Sequence, residues 1–120
     1  MRVEPEFWQR YKPGIIADLA RAGMARWARW PDLVSASYGL MQVMVPTALE
    51  RGIALAYPTS LCDPATGIRA GVAQLTWCFA QVRKDSTTPI VEALSRYNGG
   101  GDADYPALVE AWRRELRAAA

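Results

Sequence analysis

The stretch Ser37–Gly52, SYGLMQVMVPTALERG, combines residues that ordinary packing does not explain. One glycine, Gly39, and one amide, Gln42, stand inside a run of large apolar residues. A buried glutamine needs hydrogen-bond partners for its amide, and a glycine weakens a helix because it is conformationally free. The stretch is therefore either an irregular core segment or a place where backbone and amide approach a ligand.

Proline-led helix starts recur along the rest of the sequence. Pro46-Thr47 opens a short helical segment, which Gly52 ends in a left-handed conformation. Three later helices are predicted to start at Asp63-Pro64, Thr88-Pro89 and Asp104-Tyr105-Pro106. Their apolar residues recur at spacings of three and four, namely Ile68, Val72, Leu75, Phe79 and Val82, then Ile90, Ala93, Leu94 and Tyr97, then Leu108, Val109, Trp112 and Leu116. Alternating β-branched runs are nearly absent, so the sequence predicts an all-α fold.

The first forty residues give weaker signals. Residues 4–11, EPEFWQRY, predict one or two helical turns that Pro13-Gly14 should break. Residues 15–23, IIADLARAG, predict a second helix, and residues 24–33, MARWARWPDL, either a third helix or an irregular lid. We find no repeat and no linker, and we expect one domain spanning residues 1–120.

Composition excludes several kinds of chemistry. The chain has no histidine, so a catalytic triad built on imidazole is impossible. Its two cysteines, Cys62 and Cys78, do not make a zinc site without carboxylates or histidines beside them, and we interpret them as two buried free thiols rather than a disulfide. The net charge of +2 is too small for a nucleic-acid footprint. Catalysis must therefore use carboxylates, amides and tyrosines.

Three blocks in order resemble the lysozyme-like lytic transglycosylases, which are similar in fold to goose-type lysozymes. The blocks are SYGLMQVMVPTALERG, then DPATGIRAGVAQL at residues 63–75, then ALSRYNGG at residues 93–100. Their order and approximate spacing agree with that family from Ser37 to Trp112. The resemblance implies a lysozyme-like helical domain with a glycan-binding cleft.

The resemblance also implies a set of substrate-binding residues. Gly39 would allow a sugar to approach the backbone closely, and Gln42 would present its amide to the sugar or to the catalytic carboxyl. Tyr97 would hydrogen-bond near the scissile bond, and Asn98 would hold the cleft wall. The full predicted set is Ser37, Gly39, Met41, Gln42, Tyr97 and Asn98. The structural alternatives are a buried glutamine satisfied by backbone groups, a core tyrosine and an asparagine that merely ends a helix.

The catalytic acid is expected upstream of this block. Glycoside cleavage needs a carboxyl that protonates the leaving oxygen. In VEPEF, residues 3–7, Glu4 matches the family's glutamate best, with Pro5 in place of the usual serine and Phe7 as the aromatic. Glu6 is the fallback, and the alternative for Glu4 is an acidic residue in a helix's first turn. Only three residues precede Glu4, whereas the family's glutamate lies near the end of a full helix, and the gap from Glu4 to Gly39 is longer than usual; we therefore expect a fragment or a shortened start.

The resemblance implies peptidoglycan as the partner and a monomer that acts at the cell wall, in the periplasm or delivered by a phage. A single glutamate would cleave the bond between N-acetylmuramic acid and N-acetylglucosamine and form a 1,6-anhydro product, with no metal and no cofactor. If Asp32 positions a water, the outcome would be lysozyme-type hydrolysis. A noncatalytic glycan-binding or phage structural module is the third alternative. The sequence shows no membrane span and no secretion signal.

Overall fold

The computed structural model describes residues 1–120 and is mostly helical, which confirms the all-α prediction. Its elements in chain order are β1 (Arg2–Val3), α1 (Pro5–Arg21), a 3-10 helix (Ala25–Arg29), α2 (Pro31–Val34), β2 (Ala36–Tyr38), β3 (Val43–Met44), α3 (Val45–Glu50), a second 3-10 helix (Pro58–Cys62), α4 (Pro64–Ala80), α5 (Pro89–Tyr97) and α6 (Tyr105–Ala119). None of the helices is both long and apolar enough to cross a membrane.

Helix α1 runs without interruption through Pro13, so the predicted break at Pro13-Gly14 is wrong. A proline inside a helix removes one backbone hydrogen bond and crowds the preceding turn. Here the helix continues because Ile15 and Leu19, which follow the proline, are buried in the core. The segment after α1 is irregular, as the second alternative for residues 24–33 proposed, and consists of a 3-10 helix and a single α-helical turn.

The predicted helix starts downstream are confirmed. Helix α3 ends at Glu50, and Gly52 follows with φ 76°. Asp63 precedes α4, and its Oδ2 accepts a hydrogen bond of 2.9 Å from the Thr66 backbone N–H. Helices α5 and α6 begin where predicted, although neither Thr88 nor Asp104 caps its helix through a side chain.

A three-stranded antiparallel sheet with the order β1-β2-β3 was not predicted. Its strands are two or three residues long, too short for an alternating pattern to appear. In the register of this sheet, Arg2 lies opposite Ser37, and Ser37 lies opposite Met44 on its other side. The sheet thereby joins the first residues of the chain to the SYGLMQVM segment.

The chain divides into two compact units, Met1–Gln74 and Leu75–Ala120, with the boundary inside α4. The core of the first unit consists of the buried residues Ile15, Leu19, Met24, Val34, Ala36, Tyr38, Val43, Val45, Ala48, Leu55, Leu61 and Ala70. In the second unit, Cys78, Ala93 and Leu94 are buried. Both cysteines are free, as predicted, but only Cys78 is buried, so the predicted burial of Cys62 is wrong. That the two units make one domain stays a prediction.

The apolar stripes of α4 and α6 are largely exposed, although the pattern is typical of buried faces. On α4, Ile68 and Val72 are exposed, and on α6 so are Trp112 and Leu116. The buried residues in the first half of α4 are small ones, Gly67, Ala70 and Gly71. Small residues let a helix approach its neighbour closely, and hydrophobic periodicity does not detect them.

Candidate functional site

The loop Gly39–Gln42 connects β2 to β3 and contains two residues with positive φ. Gly39 has φ 70°, which a glycine adopts without strain, whereas Gln42 has φ 51°. The loop closes through a hydrogen bond of 3.3 Å from the Gln42 backbone N–H to the Gly39 carbonyl. β2 anchors it, because Tyr38 is almost fully buried and donates its hydroxyl to the Leu33 carbonyl. Burial, and secondarily Cys62, raises the pKa of that phenol.

Gly39 packs against another stretch of backbone. A Cβ at this position would lie 2.2 Å from the Leu61 carbonyl oxygen, so no other residue fits without movement. The same oxygen lies 2.6 Å from the Cβ position of Gly67 on α4. Two glycines thus clasp one carbonyl of the second 3-10 helix. This packing explains Gly39 without a ligand, and contact of its backbone with a sugar stays a prediction.

Met41 is fixed by a third glycine. A Cβ on Gly71 of α4 would lie 2.5 Å from Met41 Cβ and Cγ, so this helix accommodates the methionine only where a side chain is missing. Gly67 and Gly71 are four residues apart and therefore on one face of α4. On that face, Gly71 contacts Met41 of the loop, and Gly67 contacts the Leu61 carbonyl on which Gly39 also packs. Leu40, which lies between Gly39 and Met41 in the sequence, is 76% exposed.

Gln42 is exposed, so the alternative of a buried glutamine is wrong. Its amide is nevertheless oriented: Oε1 accepts a bond of 3.0 Å from Ser37 Oγ, and Nε2 donates one of 2.8 Å to the Gly39 carbonyl. A glutamine amide offers two N–H groups and two carbonyl lone pairs. One of each is used inside the loop, and one of each remains for a ligand.

Glu4 lies next to this loop in space despite its distance in sequence. Its backbone N–H donates 2.9 Å to the Ser35 carbonyl, which extends the pairing of β1 with β2. Its Oε1 lies 2.8 Å from Nε of Arg2, and its side chain is 37% exposed. Arg2 is the strand partner of Ser37, so the two side chains share one face of the sheet. The Glu4–Arg2 ion pair, the strand pairing of Arg2 with Ser37 and the hydrogen bond from Ser37 to Gln42 thus define one polar series.

The other acidic candidates lie elsewhere. Glu6 is exposed in the first turn of α1, and Asp32 is exposed in the first turn of α2. Asp18 pairs with Arg21 at the far end of α1. Both line a cavity of about 310 Å³, together with Ala22, Leu49 and Glu50. This cavity contains none of the predicted site residues.

Tyr97 and Asn98 lie in the second unit, at the end of α5. Tyr97 is its last residue and is partly buried. Burial first, and then the neighbouring Tyr105 and Cys78, raise the pKa of its phenol. Asn98 caps the helix, and its backbone N–H bonds to the Leu94 carbonyl before Gly99 turns the chain at φ 74°. The structural role of Asn98 is therefore observed, whereas glycan contacts of both residues stay predictions.

An aromatic cluster forms a further feature that the sequence reasoning missed. The ring centroids of Trp27 and Trp30 are 5.6 Å apart, and those of Trp27 and Tyr57 are 6.4 Å apart. Trp30 is 49% exposed and Tyr57 54% exposed. The guanidinium of Arg26 lies 5.4 Å from the centre of the Trp27 ring. The spacing of two tryptophans in RWARW was the available signal, but nothing pointed to Tyr57.

Comparison with known families decides the relationship. The model of the transglycosylase SLT domain matches residues 16–114. The chain belongs to this family. The family consists of peptidoglycan lytic transglycosylases, so the predicted resemblance and enzyme class are confirmed, with peptidoglycan as the substrate. No curated protein and no solved structure matches the chain.

The matched region contains only part of the predicted transglycosylase site. It includes Ser37, Gly39, Met41 and Gln42, as well as Tyr97 and Asn98. Glu4 and Glu6 precede it, and the acidic residues between residue 16 and Gln42 are Asp18 and Asp32. The family match therefore gives no support to a particular acid, and the assignment of Glu4 depends on the sheet alone.

Proposed function

We propose that this SLT domain cleaves the β-1,4 bond between N-acetylmuramic acid and N-acetylglucosamine by transglycosylation, with Glu4 as acid and then base. The observation that carries the proposal is the pairing of β1 with β2, which brings Glu4 into one polar series with Ser37 and Gln42. This series is adjacent to the loop that the family pattern assigns to the glycan.

The mechanism uses one carboxyl twice. Glu4 gives its proton to the glycosidic oxygen, the bond from that oxygen to C1 of muramic acid breaks, and the substrate's acetamido carbonyl stabilises the positive charge. The Glu4 carboxylate then removes the proton of the C6 hydroxyl, and O6 bonds to C1. The product is a 1,6-anhydro ring, and no water is consumed. The Gln42 amide, held by Ser37, would orient the acetamido group or the carboxyl.

A second candidate is a noncatalytic glycan-binding module. Two observations favour it: Glu4 precedes the family match, and its carboxylate is paired with Arg2 and partly exposed. Lysozyme-type hydrolysis has weaker support, because the exposed position of Asp32 gives no partner that would orient a water.

Product analysis distinguishes these candidates. We expect purified peptidoglycan sacculi to release muropeptides with 1,6-anhydro ends, which mass spectrometry separates from hydrolytic products because the latter contain one more water. Glu4→Gln keeps the side-chain shape but removes the titrating proton, and should lower turnover by about 10² or more. Glu6→Gln is the matched control, because Glu6 is exposed on the same first turn.

Each other outcome has a defined meaning. Reducing ends in place of anhydro ends would identify a hydrolase and direct attention to Asp32. Loss of activity in Glu6→Gln but not Glu4→Gln would move the acid role to Glu6. Absence of products while the chain still binds sacculi would establish the glycan-binding module. Gln42→Ala and Tyr97→Phe should weaken the binding of sacculi in either case, because both residues are proposed to contact glycan.

A further inference from the structure

Trp27, Trp30 and Tyr57 form an aromatic cluster, here called the aromatic platform. Its ring contacts link two separate segments of the first unit, and Trp30 and Tyr57 are exposed. Trp27 packs on the core and supports the other two rings, which are about half exposed. An aromatic side chain that only fills space would be covered more completely. Two half-exposed rings against one supporting ring form a surface for a flat ligand.

The platform is anchored to the loop that the family pattern assigns to glycan. Tyr57 immediately precedes the 3-10 helix Pro58–Cys62, whose Leu61 carbonyl packs against Gly39. Trp30 immediately precedes α2, whose Leu33 carbonyl accepts a hydrogen bond from the hydroxyl of Tyr38. Both aromatic-bearing segments therefore contact the residues at the start of the Gly39–Gln42 loop.

The charges around the platform are predominantly positive. Arg26 and Arg29 lie on the exposed side of the 3-10 helix Ala25–Arg29, and neither forms an ion pair in the structure. Asp32 is the acidic residue nearest in sequence. A pyranose ring offers a face of C–H groups that packs on an aromatic ring, whose face is electron-rich. N-acetylmuramic acid adds a lactyl carboxylate, which a guanidinium binds well.

We propose that the aromatic platform is an additional glycan subsite that selects strands containing muramic acid. A sugar ring stacks on Trp30 and Tyr57, and Arg26 and Arg29 bind the lactyl carboxylate. This inference rests on the proposed function of the chain as a peptidoglycan-binding enzyme or module. It predicts that aromatic rings provide affinity for any N-acetylated strand, whereas the arginines provide the preference for muramic acid over neutral chitin.

The test compares binding to two insoluble glycans by co-sedimentation at low temperature: sacculi stripped of peptides by an amidase, and chitin. Trp30→Ala combined with Tyr57→Ala should weaken binding to both about tenfold, which corresponds to about 1.4 kcal/mol. Trp30→Phe combined with Tyr57→Phe keeps stacking rings and should stay within about twofold. Arg26→Gln combined with Arg29→Gln should weaken binding to stripped sacculi alone, and should reduce its salt dependence between about 0.05 and about 0.5 M NaCl.

Trp112→Ala is the matched control, because Trp112 is similarly exposed on α6 in the other unit. It should change neither affinity, and melting temperatures establish that every variant is folded. Unchanged binding in the Trp30 and Tyr57 variants, with a loss in Gln42→Ala, would overturn the subsite while leaving the proposed function intact. Equal losses on both glycans in the arginine variants would overturn the preference for muramic acid. If wild type binds neither glycan, the proposed function itself fails.

Discussion

Gln42 adopts a left-handed backbone conformation that residues other than Gly, Asn and Asp rarely adopt. Such a conformation costs of order 1 kcal/mol or more and persists only where the surroundings impose it. Gln42 is exposed, so packing does not require this residue, and a glycine would fit with less strain. Retention of an oriented amide at a strained, exposed position is what a ligand-binding role predicts.

Gln42→Gly tests this interpretation. The substitution removes two hydrogen bonds, each of about 0.5–1.5 kcal/mol, and relieves backbone strain of about the same size. We expect the melting temperature to change little while binding to sacculi weakens. A large loss of stability with unchanged binding would show that the amide serves the loop alone. The sequence identified Gln42 as unusual, but its exposure and its positive φ depend on how β2 and β3 pair.

Ser35 immediately precedes β2, and Ser37 lies within it. Both residues are buried, but they differ in their hydroxyl contacts. Ser35 Oγ has no hydrogen-bond partner, whereas Ser37 Oγ donates to Gln42. A buried unsatisfied hydroxyl costs about 1–3 kcal/mol. Ser35→Ala should therefore be neutral or raise the unfolding free energy in urea by up to about 1 kcal/mol. Ser37→Ala should lower that free energy and weaken glycan binding; a larger loss in Ser35→Ala than in Ser37→Ala would contradict this assignment.

At the scale of elements, three glycines let α4 and the Gly39–Gln42 loop approach each other across the second 3-10 helix. Gly39 and Gly67 clasp the Leu61 carbonyl, and Gly71 accommodates Met41. The sequence predicted the start of α4 and the unusual character of Gly39. It attributed Gly39 to a sugar, because a missing side chain has the same appearance whether its neighbour is a ligand or a carbonyl.

Gly39→Ala against Gly14→Ala measures this arrangement. A Cβ at Gly39 meets a backbone oxygen at 2.2 Å and requires an unfavourable positive φ, so we expect a loss of unfolding free energy of about 2 kcal/mol or more. Gly14 lies within α1 with open space around it, and alanine there should stabilise by about 0.5–1 kcal/mol. Equal effects in urea unfolding would show that the loop moves freely and that the clasp has no energetic importance.

The small sheet and the continuous α1 show where local patterns stop being informative. Caps such as Asp63 act within a few residues, and their signals predicted the starts of α3 to α6 well. The pairing of Arg2 with Ser37 joins residues 35 positions apart through strands too short for a pattern. Pro13 is tolerated because of burial that occurs elsewhere in the helix. The sequence named Glu4 as the candidate acid, but its position near Ser37 depends on this strand pairing.

For the whole molecule, the absence of histidine simplifies the dependence of stability on pH. At acidic pH the relevant groups are two carboxyls: hydrogen bonds from Thr66 and Arg113 lower the pKa of Asp63 and Glu110 respectively. At alkaline pH they are three tyrosines: burial raises the pKa of Tyr38, Tyr97 and Tyr105. The carboxyls stabilise above their unfolded pKa near 4, an effect lost as pH falls through their folded pKa. Between these limits we expect a broad plateau of stability.

Alkaline unfolding should be the steeper limit, and Tyr97 should dominate it. Above about pH 10 the unfolded tyrosine releases its proton while the folded one retains it, so the folded state binds more protons and the unfolding free energy falls as pH rises. One such group contributes about 1.4 kcal/mol per pH unit. In urea titrations from about pH 8 to about pH 11.5, each protein's unfolding free energy is expressed relative to its own value at neutral pH. On that scale, the unfolding free energy of Tyr97→Phe should fall less steeply with pH than that of the wild type. An unchanged slope would mean that the other tyrosines account for the alkaline limit.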